Sequence, residues 1–76
     1  MERDKLVKEL DKYILDRFVN FSEYQNKYFL KKKIQEIMPD ITDDKVYNAI
    51  EITNKLLKQP SKKKTYISFL SDQLLK

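Results

Sequence analysis

None of the 76 residues is glycine. Glycine is the residue that enters left-handed backbone conformations without a steric penalty, and tight hairpin turns depend on those conformations. A glycine-free chain is therefore badly equipped for sheets built from short hairpins. Helices separated by brief breaks need no such residue. The expected fold class is all-α: a small compact bundle of four short helices with short connections, residues 1–76 forming a single helical domain. A chain of about this size buries only roughly 60% of the surface that its unfolded form exposes, so one core is expected and its stability margin is small.

The breaks are written in the few residues that oppose helix. A first helix is expected from about Arg3 to Val19, with Leu6, Leu10, Tyr13 and Ile14 recurring at spacings of three and four. Ser22, followed three residues later by Gln25, has the pattern of a capping box and predicts a second helix over about Glu23 to Met38. Pro39 ends it. Thr42 then precedes Asp43 and Asp44, a hydroxyl to accept an orphan amide proton and two carboxylates suited to the positive end of a helix dipole, and predicts a third helix to about Lys58. Gln59-Pro60-Ser61 interrupts again, Ser61 can cap, and a fourth helix follows.

Winding each segment at about 100° per residue separates a core face from residues that lie off it. Leu30, Ile34, Ile37 and Met38 gather on the second helix; Val46, Ala49, Ile50, Thr53 and Leu57 on the third; Ile67, Leu70 and Leu74 on the fourth. Leu15, Val19, Phe29, Tyr47, Ile52, Tyr66 and Phe69 fall outside these stripes. They are either extra core, as a small bundle often needs, or a second surface for a partner.

Composition removes whole classes of chemistry. There is no cysteine and no histidine, so disulfides, thiolate nucleophiles and the usual zinc and haem ligands are missing together. Adjacent acids such as Asp43 and Asp44 do not face each other on a helix, and neither a glycine-rich nucleotide loop nor a nucleophile signature is present. No enzyme activity, cofactor, metal or small-molecule substrate is expected. An apolar share of 41% beside 37% charge is too rich for a disordered segment. No run approaches the 18 or so apolar residues of a membrane span, and the charged start Met1-Glu-Arg-Asp-Lys is no signal-peptide core, so a cytoplasmic protein without a membrane partner is expected.

Charge is distributed unevenly. Residues 55–76 carry six basic residues against one acid, Asp72, and residues 27–38 carry four against one, while residues 39–54 are acidic. Most unusual is Ser61-Lys62-Lys63-Lys64, where three cations open a helix whose dipole disfavours positive charge at that end. Unpaired amides and lysines together suit a phosphate, although pairing with the acidic turn at Asp40, Asp43 and Asp44 would also account for them. Phe29 beside Lys32 and Lys33, and a stripe of Lys62, Tyr66, Phe69 and Gln73, interleave rings with cations in the way of surfaces that hold unpaired bases.

Two function classes remain. The preferred one is a nucleic-acid-binding regulator, acting on DNA, whose contacts are Lys31, Lys32, Lys33, Lys55, Lys58, Lys62, Lys63, Lys64, Thr65 and Tyr66. A helix-turn-helix is one way to build it, the third helix supporting and the fourth offering Lys62, Lys63, Thr65, Tyr66 and Ser68 to a groove. The alternative is a protein-interaction module, an adaptor, inhibitor or homodimer, that uses Phe29, Tyr47, Tyr66 and Phe69. The two lysine clusters discriminate: one contiguous surface favours nucleic acid, while separate faces interrupted by acids favour a protein partner.

Overall fold

In the computed structural model, which describes residues 2–76, four helices form in chain order: α1 (Arg3–Tyr13), α2 (Tyr24–Ile37), α3 (Asp43–Leu56) and α4 (Lys63–Leu74). Two-residue strands stand between them, β1 (Phe18–Val19) before α2 and β2 (Ser61–Lys62) before α4. The all-α bundle of short helices expected from the sequence is the architecture observed. No described residue has a positive φ.

The strands pair antiparallel, Phe18 opposite Lys62 and Val19 opposite Ser61. Lack of glycine does not prevent this, because no hairpin turn joins them: α2 and α3 both lie between. The pairing ends α1 earlier than its apolar spacing predicts, at Tyr13 rather than near Val19. The physical reason is a competition for backbone groups. Ile14 is already extended, the Lys63 amide donates to the Arg17 carbonyl at 2.8 Å, and the bridge engages residues 18 and 19. The aromatic and β-branched side chains of Phe18 and Val19 suit extended backbone better than helix.

Other boundaries shift for local reasons. Thr42 caps α3 as expected, its Oγ1 accepting from the Lys45 amide at 3.3 Å. Ser22 does not cap α2: its amide and hydroxyl both turn to Asn20 Oδ1, at 3.0 and 2.6 Å, and the helix starts two residues later with Glu23 in the cap position. Ser61 likewise belongs to β2, where its hydroxyl donates to the Lys58 carbonyl, and α4 begins at Lys63 with no side-chain cap. α3 stops at Leu56, short of Lys58.

The helices form a ring in which α1 neighbours α2 and α4, and α3 neighbours α2 and α4, while α2 and α4 face each other diagonally across the core. Arg3 at the start of α1 bonds Asp72 near the end of α4, at 2.5 Å, and Lys63 at the start of α4 reaches Asp11 near the end of α1, so these two helices are antiparallel. α3 and α4 are antiparallel in the same way, tied by Tyr66 to Asn54 at one end and Lys45 to the Lys76 carbonyl at the other. Inside the ring Leu6, Leu10, Leu30, Ile34, Val46, Ile50, Tyr66 and Leu70 are wholly buried in one apolar cluster. Ile37, Met38 and Leu57 pack against it half-buried. Tyr13, placed with the core by its spacing, is instead 38% exposed, with Lys33 over its ring.

Candidate nucleic-acid interface

On α2 the ammonium groups are largely satisfied within the fold. Lys31 is only 8% exposed; its Nζ lies 3.4 Å from Asp43 Oδ2 and over the rings of Tyr28 and Tyr47, 4.8 and 5.8 Å from their centroids. Lys32 stands over Tyr28, and Lys33 over Tyr13 with Glu36 at 3.4 Å. Such cation–ring contacts hold the charge against an aromatic face and favour a folded partner over a distant phosphate. Asp43, accepting from Gln35 first and from Lys31 as well, has its carboxyl held below the ordinary aspartate value. Lys31, placed among the nucleic-acid contacts by sequence, is thus a buried link between α2 and α3. The acidic turn pairs with this lysine and not with the cluster at residues 62–64.

Around the start of α4 the arrangement is different. Arg17, Phe18, Lys62, Lys63, Lys64 and Thr65 line a cleft of about 580 Å³, a size within the range of ligand-holding concavities. Four cations and no acid line it. Lys63 is the exception in availability: its Nζ lies 3.1 Å from Asp11 Oδ1 and 3.0 Å from the Ile14 carbonyl, and it reaches the Asp11 carbonyl too, so it satisfies the end of α1. A cation at a helix C-terminus is favourably placed against the dipole, which explains one of the three lysines that oppose the dipole of α4. Arg17, Lys62 and Lys64 are exposed and belong to no ion pair among the described residues.

The backbone adds to the same positive field. The first amides of a helix have no partner inside it; that of Lys63 goes to Arg17, and those of Lys64 and Thr65 face the start of α4 with no side-chain cap. Lys55, in the last turn of α3, and Lys58 just after it are exposed at the same end of the bundle, outside the cleft lining. Asp16, next to Arg17, is the nearby acid in sequence.

The aromatic residues named from sequence do not assemble. Tyr66 is wholly buried, 5.1 Å from the Phe21 ring centre, and its hydroxyl donates to Asn54 Oδ1 at 2.6 Å. Burial first, and the charge of Glu51 second, push its phenol well above the ordinary value. The expectation that Tyr66 is a surface ring is therefore corrected: it completes the core. Tyr47 is half-buried and stacked on Tyr24 at 6.3 Å, its phenol raised mainly by burial and then by Tyr24. Phe29 and Phe69 remain 50% and 40% exposed, but on α2 and α4, the helices that lie diagonally opposite each other. Of the residues that a helix-turn-helix would offer to a groove, Tyr66 is in the core and Ser68 accepts from Arg3 at 2.6 Å, while Lys62, Lys64 and Thr65 are exposed.

Arg17 and Phe18 line the cleft but are not among the contacts expected from sequence, because the apolar spacing carries the first helix through them. The signal was present: Val19 and Phe21 alternate with Phe18 and Asn20, the period of a strand, and the structure buries Val19 and half-buries Phe21 while exposing the other two. No group of three or more acidic, histidine or cysteine side chains that would hold a metal occurs among the described residues, and no helix is long and apolar enough to cross a membrane. Compared with protein-family models, with curated proteins and with solved structures, the chain matches none.

Proposed function

We propose that the protein binds nucleic acid through the basic end of the bundle, with Arg17, Lys62 and Lys64 as the phosphate contacts. The observation that supports this is the acid-free cleft in which these three exposed cations converge on a helix N-terminus. Phosphate combines what such a place offers: charge, and oxygens that accept from amides. The lysines of α2 are left out, since the two sets occupy helices on a diagonal and those of α2 serve tyrosines and acids. The interface is consequently small, and binding weak and largely indifferent to sequence is what it supports. The separation of the two lysine sets by itself favours a protein partner, but the aromatic set such a partner would use does not assemble, Tyr66 being buried and Phe29 and Phe69 lying on the two diagonal helices. A regulatory role and residence in the cytoplasm belong to the same proposal.

Three phosphate contacts on duplex DNA give a salt slope of about 2.7, so affinity for a mixed-sequence duplex should fall roughly 40-fold between 50 and 200 mM salt. Fluorescence anisotropy measures this directly. The R17Q/K62Q/K64Q triple variant should lose most of the binding and most of the slope while keeping its helical spectrum. A wild type that binds no DNA at 50 mM salt, or a triple variant with unchanged slope, rejects the proposal.

A further inference from the structure

The pairing of β1 with β2 does more than end α1. In an antiparallel pair, directly opposed residues project from the same face of the ribbon with their Cβ atoms about 5 Å apart. Val19 and Ser61 form one such pair and are both buried; Phe18 and Lys62 form the next and are both exposed. Alternation along the two strands thus turns an aromatic ring and an ammonium group together toward solvent, at the mouth of the cleft that also holds Arg17 and Lys64. Phe18 is 58% exposed, so its ring is open to a ligand. The ring also contributes little to the apolar core, whose members do not include it.

A ring flanked by cations matches one ligand class closely. A single strand offers unpaired bases, which stack on an aromatic face, joined to phosphates, which need cations a short distance away; a duplex offers the phosphates but keeps its bases stacked on one another. We infer that Phe18 is a stacking platform for an unpaired base and that single-stranded nucleic acid is the preferred ligand of this site. The inference rests on the nucleic-acid reading of the basic end and adds to it the strand state and a residue. Lys62 and Arg17 take the phosphates on either side of the stacked base, and Lys64 extends the path toward the start of α4.

The test compares a labelled oligothymidylate of twelve nucleotides with a twelve-base-pair mixed duplex, by anisotropy at 50 mM salt. Wild type should bind the single strand more tightly. Phe18→Ala should weaken single-strand binding by about 5- to 150-fold, the range that loss of one base–aromatic stack produces, and leave duplex binding nearly unchanged. Phe18→Trp should retain affinity, and because the chain has no other tryptophan, the introduced indole fluorescence should be quenched when the oligonucleotide is added. Equal weakening on both ligands, no strand preference in the wild type, or an unquenched indole overturns the stacking role while leaving phosphate binding in place. Loss of all binding by the wild type removes both. Capture by vesicles containing phosphatidylserine that disappears in Phe18→Ala, without any strand preference, assigns the ring to a lipid surface and also overturns the inference.

Discussion

Tyr66 offers the sharpest check on the fold, because its ring and its hydroxyl make separate, measurable contributions. The ring is wholly buried against Phe21, and the hydroxyl donates to Asn54 Oδ1, whose amide nitrogen in turn donates to the Phe21 carbonyl at 3.0 Å. Gln59 accepts from the Phe21 amide at 3.2 Å, so one network joins the loop before α2 to α3, to the turn after it and to α4. Tyr66→Phe keeps the ring and removes one donor. A net loss of about 1 kcal/mol is expected, toward the low end of what a stranded acceptor costs, because Asn54 is half-buried and water can reach it. In a domain of this size that lowers Tm by about 4 to 8 °C.

Tyr66→Ala removes the ring as well, and emptying a buried aromatic site costs about 3 to 5 kcal/mol. A 76-residue chain has roughly 4 to 11 kcal/mol of total stability, so this variant loses a large share of it and its Tm should fall by at least about 12 °C. Thermal melts followed by the helical circular-dichroism signal distinguish the two levels, and a double-mutant cycle between Tyr66→Phe and Asn54→Ala isolates the hydrogen bond. A Tyr66→Ala protein that melts within 3 °C of the wild type would refute the burial of this side chain, and zero coupling in the cycle would refute the bond.

Two further outcomes follow from the charged and titrating groups. Because Tyr66 has a raised pKa in the folded state, its contribution to stability is complete below the unfolded tyrosine value of about 10 and declines as pH rises beyond it, so melting temperature should drop above pH 10, and less steeply in Tyr66→Phe. The tyrosinate absorbance of the wild type should correspondingly lag at high pH. Lys63→Gln should reduce stability by about 1 kcal/mol, since the ammonium joins Asp11 and the last carbonyls of α1 in a partly exposed setting, while lowering DNA affinity less than Lys62→Gln or Lys64→Gln; a variant with an unchanged melt and lost binding would reverse these roles.

Local rules carried much of the fold. Apolar residues at spacings of three and four located Leu10, Ile34, Ile50 and Leu70 in the core, Pro39 and Pro60 fell at breaks, and Thr42 capped α3, because a helix's face, interruption and cap depend on residues within a turn or two of each other. The sequence also marked Lys62 to Lys64 as cations opposed to a helix dipole. Tertiary contacts decided the rest. Whether residues 14–19 continue a helix or pair with residues 61 and 62 depends on backbone groups that α2 and α3 separate in sequence, and that one pairing exposes Phe18, recruits Arg17 and consigns Lys63 to the end of α1. The fate of each lysine was equally non-local. Lys31 and Lys64 sit in similar lysine runs, yet the packing of α3 beside α2 sets Tyr47 and Asp43 against Lys31, next to Tyr28 of its own helix, while Lys64 is left facing water, because which helix packs beside a side chain cannot be read from its neighbours in the chain.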